Sequence, residues 1–86
     1  MEPNQVEELI KAGLPDCEVT VTGDGSHFNA TIVGDVFEGM MPVKKQQLVY
    51  KMVNEYITSG ELHAFTMKTY TPAEWEKAKM LQGGSL

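Results

Sequence analysis

An α+β domain is what this chain predicts: one three-stranded sheet covered by helices, in the order α-β-β-α-β-α. Three observations carry that expectation. Two segments of alternating polarity, 17–22 and 27–32, flank Gly23-Asp24-Gly25, and Asp-Gly between alternating runs is a strong hairpin signal. An apolar stripe at helical spacing follows. A β-rich run then closes on TPAEW, which reads as a helix start.

Element by element, Asn4 with Glu7 is a loose capping box, and Val6, Leu9 and Ile10 follow at helical spacing. This predicts a helix over about 4–12, ended by Gly13, and Pro15-Asp16 reads as a turn. Cys17, Val19 and Val21 alternate with Glu18, Thr20 and Thr22, the pattern of a half-buried strand. In the returning strand Phe28, Ala30 and Ile32 alternate with His27, Asn29 and Thr31, which puts His27 on the more polar face. Residues 34–42 are a connection with two glycines and a closing proline. Val49, Met52, Val53, Tyr56 and Ile57 form the stripe of a helix over about 43–58, with Lys44, Lys45, Gln46 and Gln47 in its first turns. Ser59-Gly60 ends it, and Leu62–Lys68 is a third strand rich in β-formers. Thr71 as N-cap, Pro72 at the first helical position and Glu74 closing a capping box start a helix to about 81, with Trp75 and Ala78 inward. Residues 1–86 make one domain, with 1–3 and 82–86 expected to fray.

Composition narrows the function classes. A chain of 86 residues buries one core and has stability of order 5 kcal/mol. No apolar run approaches a membrane span, and MEPNQVEELI has no basic region before an apolar one, so it is not read as a signal peptide. The single cysteine, Cys17, excludes an internal disulfide and a zinc site built on cysteine pairs, which points to the reducing cytoplasm. Net charge is −5, with seven lysines and no arginine, which argues against a nucleic-acid role except through a local lysine patch.

Catalytic patterns are poorly supported. Ser26 and His27 are neighbours on a strand and point to opposite faces, so they do not pair as nucleophile and base. Gly23-Asp24-Gly25 joins strand to strand, not strand to helix, and is no phosphate loop. Glu7-Glu8 and Glu74/Glu76 sit near helix N-termini, where acids are stabilising in any case. Met40-Met41 reads equally as core filling or as an adaptable contact surface. Two histidines with at most one thiol are too few for a cluster that needs four ligands, so a metal role requires a partner to complete the set. A hydrogen-bonded structural role is the alternative for each. For His63 that alternative is a buried one, because strand alternation puts it on the side of Phe65 and Met67.

The strings VTGDGSHF, FEGMMPVKKQQLVY and LHAFTMKTYTPAEW resemble the BolA family, most closely its IbaG branch. The likeness spans residues 5–80, with three separated motifs in order. It implies a fold similar to the class II KH domain. It implies a non-catalytic adaptor whose partner is a monothiol glutaredoxin, the pair bridging a [2Fe–2S] cluster. In that picture the glutaredoxin cysteine and glutathione hold one iron and the BolA-like chain holds the other; alone it would carry no cluster, as a monomer or weak homodimer. His63, in LHAF, matches the family's C-terminal histidine ligand. The second family ligand comes from the loop between the first two strands, where His27 is the one imidazole; Cys17 lies several residues too early. The resemblance also offers an alternative, a small DNA-binding regulator. The GxxG of KH domains is missing, GMMPVKKQQ stands in its place, and Lys44-Lys45 would be the contact.

Overall fold

The computed structural model describes residues 2–24 and 27–83. In chain order the elements are helix α1 (Pro3–Gly13), strands β1 (Glu18–Gly23) and β2 (His27–Val33), a 3₁₀ turn (Asp35–Phe37), helix α2 (Pro42–Thr58), strand β3 (Ala64–Tyr70) and helix α3 (Pro72–Gly83). This is the expected α-β-β-α-β-α order. The strands lie β1-β2-β3, with β2 antiparallel to β1 and parallel to β3. No helix among the described residues is long and apolar enough to cross a membrane.

Strand alternation decides which face the helices cover. Val19, Phe28, Ala30 and Ile32 are buried, and register sets Phe28 beside Phe65 and Ala30 beside Met67. Onto this face pack Val6 and Ile10 of α1 and Val49 and Val53 of α2, all without exposed surface. On the other face Thr20, Thr22, His27, Asn29, Thr66 and Lys68 are exposed. One side of the sheet is therefore core and the other is a polar open surface.

Boundaries differ from expectation at several points. Helix α1 starts at Pro3, with Glu2 as N-cap in place of Asn4, because the Glu2 N–H donates to Gln5 Oε1 at 2.7 Å. Glu2 and Pro3 are thus tied into the structure; Met1 and residues 84–86 of the expected frayed ends lie outside the described residues. Cys17 is buried ahead of β1, and the missing side chain of Gly34 leaves room for its Sγ. The connection after β2 contains the 3₁₀ turn, whose Phe37 is 1% exposed in the core. The methionine pair divides: Met40 packs against the core, while Met41 is 70% exposed.

The third strand begins at Ala64, two residues later than Leu62. Gly60, at φ +84°, turns the chain out of α2, and the Leu62 N–H then donates to the Tyr56 carbonyl at 3.0 Å. Leu62 is a buried plug at the end of the helix and not a strand residue.

Helix α3 is held mainly at its start. The Thr71 N–H donates to Glu74 Oε1 at 2.8 Å, and the Glu74 N–H donates to Thr71 Oγ1 at 3.2 Å, the expected capping box. Trp75 packs its ring 5.2 Å from that of Tyr70. Glu74 also faces Lys45 of α2 at 3.7 Å. Its carboxyl titrates below the ordinary glutamate value, chiefly because it accepts the Thr71 N–H; desolvation opposes this, and the nearby Lys45 adds to the lowering. A depressed folded-state value means this stabilisation is complete above the ordinary glutamate range and is lost as pH falls through the folded value. Trp75 is the one tryptophan of the chain, so its fluorescence reports α3. In an acid titration we expect a Trp75 step below the ordinary glutamate range that Glu74→Gln removes. An identical step in that variant would assign it to other carboxyls.

Candidate metal-ligating histidines

The hairpin loop fixes the first imidazole. The Asp24 carboxylate accepts the His27 backbone N–H at 3.0 Å, and the Asp24 N–H donates to the His27 carbonyl at 3.3 Å. This short reciprocal pair closes the turn and starts β2 at His27. His27 Nδ1 lies 3.9 Å from Asp24 Oδ1, and both side chains are about three-quarters exposed. That spacing is beyond a hydrogen bond but turns the Nδ1 edge of the ring toward the carboxylate, leaving the Nε2 edge on the far side. Ser26 and Gly25 lie outside the described residues.

The second imidazole is placed by the end of α2. After the Gly60 turn and the Leu62 plug, His63 stands immediately before β3 and is exposed. The buried position that alternation suggests is therefore wrong: alternation holds inside a strand, and the strand has not yet begun at His63.

Parallel pairing then brings the two residues to one edge of the molecule. His27 is the register partner of Ala64, so His63 is one residue ahead of His27's neighbour on the adjacent strand. Adjacent strands lie about 4.8 Å apart. Thirty-six positions of sequence thus collapse into two neighbouring strand starts, both open to solvent. Among the described residues, no three histidine, cysteine or acidic side chains are grouped to hold a metal ion. Cys17 is not an auxiliary: it is buried, and its thiol is pushed up by burial first and by Asp16 and Asp35 second. Such a thiol is a poor thiolate ligand. In Rieske centres two histidines hold one iron of a [2Fe–2S] cluster; here His27 and His63 are the imidazoles that strand pairing sets at neighbouring strand starts.

The lysine pair separates. Lys44 is exposed, whereas the Lys45 side chain is 13% exposed and paired with Glu74. The pairing of Lys45 across to α3 gave no signal in the sequence, since it joins two elements distant in the chain. Asp24's anchoring of His27 did carry one, the Asp-Gly turn.

Comparison with known proteins agrees with this architecture. A family model described as BolA-like protein matches residues 10–74. The acid stress protein IbaG of Escherichia coli (strain K12) is 47% identical over 83 residues, covering 96% of this chain and 99% of that protein. Among solved structures, a BolA protein homologue from Coxiella burnetii superposes with a TM-score of 0.77 at 34% identity, covering 88% of this chain and 97% of that one. BolA1 from Arabidopsis thaliana gives 0.73 at 32% identity, covering 86% and 98%. With family model, near full-length relatives and fold in agreement, the chain belongs to the BolA family.

Proposed function

We propose that this protein is a non-catalytic adaptor of the cytoplasm that pairs with a monothiol glutaredoxin and shares a [2Fe–2S] cluster with it. The observation that supports this reading above all is the pair of solvent-exposed histidines at neighbouring strand starts. His63 and His27 would hold one iron; the glutaredoxin cysteine and glutathione would hold the other. The cluster, when bound, supplies one-electron and cluster-transfer chemistry. The chain itself contributes imidazole nitrogens, a carboxylate at the Nδ1 edge of His27, and parallel strands that set the two strand starts side by side. The E. coli relative's name as an acid stress protein supports a place in stress response.

Co-expression with a monothiol glutaredoxin tests the reading. We expect a coloured heterodimer whose absorption spectrum differs from that of the glutaredoxin homodimer, and a colourless protein when the chain is purified alone. Recovery of the two proteins as separate, non-interacting species in the presence of iron, sulfide and glutathione would refute the pairing.

A further inference from the structure

A groove of about 510 Å³ separates α1 from the C-terminal end of α2, lined in part by Glu8, Leu9, Tyr56 and Glu61. A second hollow of about 330 Å³ shares Tyr56 and Glu61 and adds Glu55. Leu9 and Tyr56 are half-buried, while the three glutamates are exposed. The ion pairs among the described residues are His27–Asp24, Lys45–Glu74 and Lys79–Glu76, so none of these three carboxylates is neutralised. Helix α2 ends here without a basic residue in its last turn, and the negative end of its dipole adds to the same potential. The rim is also ordered: Ser59 Oγ donates to the Tyr56 carbonyl at 3.1 Å and accepts the Glu61 N–H at 3.4 Å. Two residues after Glu61 comes His63.

We propose that this groove receives a lysine or arginine side chain of the protein partner that sits over His63, an inference that rests on the adaptor reading above. The aliphatic stem of such a side chain lies along Leu9 and the Tyr56 ring, and its charged head meets Glu8 and Glu61, with Glu55 in the adjoining hollow adding to the potential. Apolar walls with an acidic rim match a long basic side chain better than a small free cation, which gains nothing from Leu9. The other acid-lined hollow, with Asp16, Glu18, Asp35 and Glu76, already contains Lys79 paired to Glu76 at 3.4 Å, so its charge is partly met from within. The Glu8–Glu55–Glu61 groove is where attraction for a basic partner remains unspent, and it would steer that partner toward the histidine edge.

The test compares two variants of equal charge change, Glu8→Gln/Glu55→Gln/Glu61→Gln in the groove and Asp16→Asn/Glu18→Gln/Asp35→Asn away from it. Thermal melts confirm that both fold. Affinity for a monothiol glutaredoxin is measured at low and at physiological salt. The groove variant is expected to bind about tenfold more weakly and to lose most of the salt dependence, whereas the distant variant keeps both. In parallel, a trilysine peptide is titrated against the wild-type chain and followed by amide NMR. Shifts at Glu8, Glu55, Tyr56 and Glu61 that vanish in the groove variant support the assignment. Shifts spread elsewhere, or glutaredoxin affinity unchanged in the groove variant, overturn it. Should the wild-type chain fail to associate with glutaredoxin, the adaptor reading falls, and the peptide titration alone decides the groove.

Discussion

Phe28→Ala is expected to remove most of the folding free energy of this protein. Phe28 lies in the central strand, 1% exposed, with Gly23 of β1 and Phe65 of β3 as register partners. It belongs to the largest fully buried side chains and to the core cluster shared with the helices. Truncating a core phenylalanine costs about 3–5 kcal/mol through lost transfer free energy plus the cavity left behind. A domain of this size has about 5 kcal/mol in total. Urea unfolding followed by circular dichroism and Trp75 fluorescence should therefore show a midpoint near the start of the titration. Met41→Ala, at a side chain 70% exposed, is the comparison and should change stability by less than about 0.5 kcal/mol. A cost below about 1 kcal/mol at Phe28 would mean the sheet face is not packed as described.

His63→Ala is expected to abolish stable cluster sharing with glutaredoxin while leaving the fold intact. His63 is exposed and outside regular structure, so its removal should alter unfolding free energy by less than about 1 kcal/mol. If its nitrogen binds iron, the heterodimer spectrum should shift toward that of the glutaredoxin homodimer, or bleach within the purification. His27→Ala should have a smaller effect, because His27 matches the family's loop ligand less directly than His63 matches the C-terminal one. Acidification should mimic His63→Ala, since protons compete with metal for imidazole nitrogen. The outcome that removes His63 from the ligand set is an unchanged cluster spectrum in a folded His63→Ala heterodimer.

Much of this architecture was legible because it is fixed by short-range rules. Asp-Gly between alternating runs gave the β1–β2 hairpin, the Val49–Val53 stripe gave α2, and Thr71, Pro72 and Glu74 gave the start of α3 to the residue. What escaped was decided by contacts between distant elements. Leu62 has a strand former's composition but is drawn out of β3 by the Tyr56 carbonyl and the core beneath it. Phe37 is a core residue in a segment with no periodicity to announce it. At the site, alternation correctly set His27 on the polar face, yet the same rule misplaced His63, because a rule of strands was carried past the end of one. Lys44-Lys45 read as a pair in one dimension; the fold gives Lys45 to Glu74 and leaves Lys44 alone at the surface.

The parallel pairing of β2 with β3 has a kinetic corollary. The β1–β2 hairpin needs only its own short loop and belongs to events of microseconds, whereas β3 joins after the chain has crossed over through α2. Such non-local closure is the slow step in small domains, because the entropy of the crossover is lost before its contacts form. His27 is thus in place early and His63 late. During synthesis, α2 and β3 also leave the ribosome after the hairpin, so the nascent chain carries a lone imidazole through most of its folding. Under the proposed function, the two imidazoles would become neighbours only when the last strand pairs.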